Sequence, residues 1–389
     1  MALAAPTRNG TWTAEPGFGV YVHTPFCRHR CHYCDFNTYE GLDELHEPYV
    51  EALIADIERW SGATRPATSI FFGGGTPTLL APDALGRVLQ AIRDRVGIAS
   101  GAEVTVEANP ETVNVAYFTD LLAAGFNRVS VGIQSTAVGV LKGLGRTHDA
   151  GTALRALNDA RTAGFAEVNA DLIYGSQWET DAEWRKSLED VSSREPTHVS
   201  AYALTIEEGT PLATLVATQR VADVDPDVQA ERHGVADEVL GAAGFERYEV
   251  SNWARPGSAC THNVLYWCAG EYLAFGAGAH GHVGGRRWWN VRLPREYNAA
   301  VSDGRSTVAG SEELTADERA GEALMLGLRL TSGIAVEDFV AAFNSEPWNR
   351  RRPAIEAEVQ AGHLIWENGT LRLAPRATML ANEVIARVM

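Results

Sequence analysis

The chain has 389 residues, 45% of them hydrophobic, with a formal net charge of −17 at pH 7; that is enough for a large core and a smaller satellite, and two or three domains are expected. The acidic balance argues against nucleic acid as a partner, because neutralising phosphates takes a basic stripe and the nearest candidate, Arg350-Arg351-Arg352, reads as a solvated surface. No apolar run reaches bilayer length and the N-terminus lacks the basic-then-hydrophobic layout of a signal peptide, so a cytoplasmic protein is expected, with any membrane association peripheral rather than integral.

Strand-like runs begin near Gly19, Thr68, Glu103, Arg128, Glu167 and His198, and amphipathic stretches over 48–60, 82–96, 113–124, 150–163 and 180–192 read as helices between them. Roughly six such units make an open, partial parallel β/α barrel, too few for a closed eight-stranded one. Gly125, Gly164 and Gly244 recur in Ala-Gly-Phe triplets between helix and strand, where a left-handed glycine ends a helix. After an Asp-rich link at 223–227 and a further helix to about 243, a Gly- and aromatic-rich stretch covers 248–289. Helical patterns return over 314–330, 336–343 and 355–361, and 363–373 reads as a hairpin around Asn368-Gly369. The expected α/β organisation is therefore a barrel core over 16–245, a connecting segment over 246–310 and a smaller helical, winged-helix-like domain over 311–389.

Three of the five cysteines, Cys27, Cys31 and Cys34, crowd into the loop after the first strand. Five cysteines used this way suit a reducing compartment. A disulfide would leave one thiol of the loop over, and zinc, completed by His29 or His32, is the stronger rival; yet no second CxxC follows downstream. A [4Fe-4S] cluster held by three thiolates instead keeps one iron open to a small molecule.

With Tyr33 just before the last cysteine, this CxxxCxxC loop resembles that of the radical S-adenosylmethionine (SAM) superfamily. Tyr21-Val22-His23-Thr24-Pro25-Phe26-Cys27 and Gly73-Gly74-Gly75-Thr76-Pro77-Thr78 resemble the oxygen-independent coproporphyrinogen III oxidase branch, and within it the HemW family of heme chaperones. The resemblance implies a [4Fe-4S] cluster on Cys27, Cys31 and Cys34, an electron donor for it, and SAM. Gly74, Gly75 and Thr76 would contact the methionine amino group; Glu107 would pair with an ammonium or a ribose; Gln134, Arg146 and Asp171 match further SAM-contacting positions; Tyr21 and Tyr33 would flank the adenine.

The oxidase pattern continues with one more cysteine, CxxxCxxCxC, where this chain has Phe36, and the oxidase carries a longer N-terminal extension. His262-Asn263-Val264-Leu265-Tyr266-Trp267 fits HNxxYW, the motif that the HemW resemblance ties to heme, so His262 is expected as an iron ligand and His280 as its alternative. Cys260 and Cys268 read as small buried side chains. The expected function is binding heme and passing it to client hemoproteins with little or no oxidase turnover; the alternative is a coproporphyrinogen III oxidase or another radical SAM enzyme acting on a tetrapyrrole.

Overall fold

Parallel strands covered on both faces read as near-continuous apolar runs. Six follow one another here, β1 (Phe18–Thr24), β2 (Ala67–Gly74), β3 (Ile98–Ala108), β4 (Arg128–Gln134), β5 (Glu167–Tyr174) and β6 (His198–Ala203), starting within a residue of the expected positions except β3, which begins before Glu103 at Ile98. The computed structural model describes residues 10–62 and 65–389; residues 1–9, where no leader pattern is read, lie outside the described residues. Between the strands run α1 (His46–Arg59), α2 (Pro82–Arg95), α3 (Val115–Ala124), α4 (Val138–Gly143), α5 (Ala150–Ala163) and α6 (Asp181–Ser192). Local chemistry sets their ends: Asn114 and Asp149 cap α3 and α5, Thr180 and Glu183 form a capping box on α6, and Gly125 and Gly164 close α3 and α5 in the left-handed region.

After α7 (Pro211–Ala217) and α8 (Pro226–Ala242) come β7 (Glu246–Arg247), β8 (Asn252–Ala254), α9 (Thr261–Trp267), β9 (Glu271–Phe275), β10 (His280–Val283) and β11 (Arg286–Asn290), then α10 (Pro294–Ser302) and β12 (Val308–Glu313). Residues 246–310, read from the sequence as a connecting segment, thus contribute five whole strands and the start of β12. Among the described residues twelve strands form one sheet, in the order β12-β11-β10-β9-β1-β2-β3-β4-β5-β6-β8-β7. β9 lies parallel to β1, with Leu273 opposite Val20, so β1 has a parallel neighbour on each side. β10, β11 and β12 continue that side antiparallel, and β8 and β7 finish the other.

The C-terminal module holds α11 (Ala316–Gly327), β13 (Ile334–Ala335), α12 (Val336–Phe343), α13 (Ser345–Gln360), β14 (Leu364–Glu367), β15 (Thr370–Leu373) and α14 (Ala381–Val388), with its three strands in the order β13-β15-β14. The helix expected over 355–361 begins at Ser345 and carries Pro353 in its interior. Its buried face, Trp348, Arg351, Ile355 and Glu358, keeps helical spacing through that proline. Arg351 corrects the reading of the arginine run as solvated: it is buried and donates to Asp317 Oδ1 at 2.9 Å, while Arg350 and Arg352 are exposed and paired with acids. The core of this module also takes in Trp12, Tyr248, Val264 and Cys268 from outside it.

Candidate functional site: two cavities at one edge of the sheet

In a parallel β/α barrel the loops after the strands' C-terminal ends carry the ligand site. The loop after β1 is tied to its surroundings through the backbone: Cys27 N–H donates to Tyr39 at 3.0 Å, His32 N–H to Leu144 at 3.0 Å and Cys34 N–H to Cys31 at 3.2 Å. The turn after β2 locks onto the same loop, Gly75 N–H donating to Thr24 at 2.8 Å and Thr76 N–H to Phe26 at 2.8 Å. A Cβ on Gly75 would lie 2.5 Å from the Phe26 carbonyl oxygen, so only glycine permits this approach.

Together these loops border a cavity of about 490 Å³ lined by Cys27, Cys31, Cys34, Tyr33, Gly74, Gly75, Thr76, Glu107, Gln134, Arg146 and Asp171. Eleven of the residues singled out in the sequence therefore share one cavity wall. Arg146 donates to Cys31 Sγ at 3.3 Å and to the Gly132 carbonyl at 2.9 Å. Gln134 has φ 65°, rare for a residue with a side chain, at the end of β4 where the register against β5 shifts; such an irregularity re-aims a side chain. Glu107 accepts from Gly74 N–H at 3.0 Å, and burial, with the Asp171 carboxylate beside it, pushes its carboxyl up to about 8. Asp171 is raised as well by burial, against hydrogen bonds from Ser130 at 2.7 Å and Asn169 at 2.8 Å. Leu204 and Thr205, just past β6, also line this cavity and were not singled out; their place beyond a strand end is the signal that pointed to them.

The donor set fits a cubane cluster. All three thiols are free and partly exposed to the cavity. Among the described residues no three ligand side chains converge tightly enough for a single metal ion, whereas the thiolates of a cubane each hold a different iron. Burial raises the Cys27 thiol to about 11 and also raises Cys34, so metal binding displaces protons there.

A second cavity, of about 770 Å³, opens beside the first, with Phe36, Gly74 and Glu107 lining both. Its aromatic wall is Tyr21, Tyr266, Tyr272 and Trp289, and its polar groups are His23, Asn37, His280 and Arg292. Tyr21, expected beside Tyr33, lies on this wall instead, its hydroxyl 2.9 Å from His23 Nδ1. His280 is exposed at the start of β10, its ring near-parallel to that of Trp289 at 6.0 Å between centroids. Burial, then Arg287 and Arg292, lower its pKa.

His262 lies elsewhere. It is the second residue of α9 and lies beside Ser69 of β2 and Glu103 of β3, lining a third cavity of about 170 Å³ that also touches Tyr21, Glu107, Asp171 and Tyr266. Glu103 accepts from Thr261 N–H at 3.1 Å and His262 N–H at 3.0 Å, holding the helix start, and Arg128 stands 3.8 Å from that carboxylate. His262 Nδ1 is 2.9 Å from Ser69 Oγ and Nε2 is 2.9 Å from Tyr266 Oη, and its ring stacks on Phe71. Burial pulls its pKa down to about 3. The expectation of His262 as an iron ligand thus meets a buried ring with both nitrogens engaged. The rest of the motif binds locally: Asn263 donates to Tyr248 Oη at 3.1 Å, and Tyr266 reaches the wall of the 770 Å³ cavity. Cys260 and Cys268 are buried, as read from the sequence.

The radical SAM superfamily profile matches residues 21–191, and the HemN C-terminal domain profile matches 314–380. A heme chaperone HemW from Mycobacterium tuberculosis is 40% identical over 377 residues, covering 96% of this chain and 95% of that protein. The chain belongs to the HemW family. The HemW of Bacillus subtilis is 30% identical, covering 94% of this chain and 97% of its own length. The solved structure of coproporphyrinogen III oxidase (HemN) from Escherichia coli, described as a radical SAM enzyme, superposes with a TM-score of 0.82 at 20% identity over 99% of this chain and 92% of that one, which establishes the shared fold. For a HemW family member within the radical SAM superfamily, a [4Fe-4S] cluster and SAM are the implied cofactors.

Proposed function

We propose that this protein is a heme chaperone that binds heme and hands it to client hemoproteins, and that its cluster and SAM occupy the 490 Å³ cavity without supporting coproporphyrinogen decarboxylation. The observation that carries the reading is the end-to-end similarity to HemW proteins, combined with Phe36 in place of the oxidase cysteine, 60% exposed on the wall shared by both cavities. In that cavity Cys27, Cys31 and Cys34 would hold the cluster. The cluster would supply one-electron chemistry and an open iron for the methionine end of SAM. Gly74 and Gly75 bring backbone amides and carbonyls close without side chains in the way, Arg146 stands as the cation for a carboxylate, and Glu107 and Asp171 hold acceptors at the far wall. An electron donor and client hemoproteins are the proposed partners. Free cysteines support a reducing compartment such as the cytoplasm, and no helix among the described residues is long and apolar enough to cross a membrane.

The deciding experiment gives the anaerobically reconstituted chain heme and then an apo-hemoprotein, and in parallel gives it coproporphyrinogen III, SAM and reductant. Heme should pass to the acceptor while no decarboxylated product forms. Product formation at a rate matching an authentic oxidase, without heme transfer, would replace this reading with the oxidase one.

A further inference from the structure

We infer that heme sits in the 770 Å³ cavity with its iron on His280 and a propionate on Arg292, and that His262 serves this site only by holding Tyr266 in the cavity wall. The inference rests on the chaperone reading above and adds the site, the ligand and the division of labour within the HNxxYW motif.

Three observations converge on it. The first is the state of the two histidines. Ligating iron takes a free ring nitrogen, and neither nitrogen of His280 has a hydrogen-bond partner among the described residues, whereas both nitrogens of His262 are engaged. His280 also lines the 770 Å³ cavity, whereas the cavity that His262 lines is about 170 Å³, below the size of an ordinary cofactor pocket. The second is charge. In a chain where acids outnumber bases, the Arg292 guanidinium is exposed at the cavity and has no ion pair among the described residues; its polar contact is Nε to Asn37 Oδ1 at 3.4 Å. A carboxylate on the ligand would complete it by a charge-assisted bond. The third is shape: Tyr21, Tyr266, Tyr272 and Trp289 line one volume within the ordinary range for cofactor-sized ligands. An iron-bearing, flat, aromatic dicarboxylate matches all three; an iron-free porphyrin matches only the last two.

The test titrates the cluster-loaded full chain, and its His280→Ala, Arg292→Ala, His262→Gln and Tyr266→Phe variants, with hemin and separately with iron-free protoporphyrin, reading difference absorbance and circular dichroism. His280→Ala should displace the Soret maximum of bound hemin and leave protoporphyrin affinity unchanged. Arg292→Ala should weaken both ligands by roughly tenfold, the loss of one charge-assisted bond. His262→Gln and Tyr266→Phe should weaken hemin yet leave its Soret maximum at the wild-type position. A wild-type Soret maximum and affinity in His280→Ala, or a displaced maximum in folded His262→Gln, would overturn this inference while leaving the chaperone reading in place. Failure of the wild-type chain to bind hemin would overturn both. His280 is exposed, so its truncation tests ligation apart from folding.

Discussion

At Glu107 the folded chain holds a carboxyl proton up to about 8, against an ordinary value of 4.5, because burial and Asp171 both disfavour the charge. A carboxyl raised on folding binds more protons in the native than in the unfolded state between those two values, so stability falls as pH rises from about 4.5 to about 8 and levels off above. Glu107→Gln should remove most of that decline, of the order of a few kcal/mol, leaving the cluster-free variant with a higher melting temperature than wild type at pH 8.5 and a smaller difference at pH 5. An unchanged melting-temperature profile would mean that Glu107 is ionised in the native state. Among the cysteine-loop residues, replacing Cys27, Cys31 or Cys34 by Ala should abolish a reconstituted content of about four irons per chain, measured by iron analysis and visible absorption. Gly75→Ala should also lower iron loading, through its neighbours, since its Cβ would push apart the Phe26 and Thr24 carbonyls that pin the two loops together.

The element on which the sequence and the structure part most is α9. A linear motif names its residues but carries no depth, and HNxxYW with its aromatics reads equally well as a surface ligand patch or as a buried plug. What decides is Glu103, 159 residues away in sequence, which accepts the first amides of the helix and stands against Arg128. Glu103→Ala should leave that buried guanidinium with Glu167 and the Ser258 carbonyl and orphan two helix amides, costing about 3–5 kcal/mol in denaturant unfolding. The parallel strands β1 to β6 were legible because burial on both faces writes itself as apolar runs, and the helices between them because their caps and periodicity agree. Strands β9 to β12, which extend the sheet beyond β1, were not, because glycines and tryptophans in short hairpins mask the period of two. Nor was the first half of α13, where Pro353 and three arginines hide a buried face that includes one of those arginines. Within the site, residues just past strand ends could be named from the sequence, whereas the split of Tyr21 from Tyr33 into different cavities depends on where β9 and β10 lie.

Across the whole molecule the C-terminal module is no detachable appendage, since Trp12, Tyr248, Val264 and Cys268 complete its core, and Arg329 lies over the Trp267 ring of α9. Truncation after Glu313 should uncover these side chains, and the expected outcome is a chain that aggregates or melts well below the full-length protein in calorimetry, with loss of the ordered α9. An independently stable, soluble truncation would show that the module contributes little to the barrel. The partition between the two cavities has a consequence of another kind. Phe36, Gly74 and Glu107 belong to both, so a ligand that shifts this wall alters the free energy of binding on its other side. Thermodynamic reciprocity then requires that the factor by which SAM changes heme affinity equal the factor by which heme changes SAM affinity. Titrating each ligand with the other absent and saturating should return one common factor different from unity. For the proposed heme site, that factor is the coupling by which SAM binding alone, without cleavage, tightens or loosens the hold on heme.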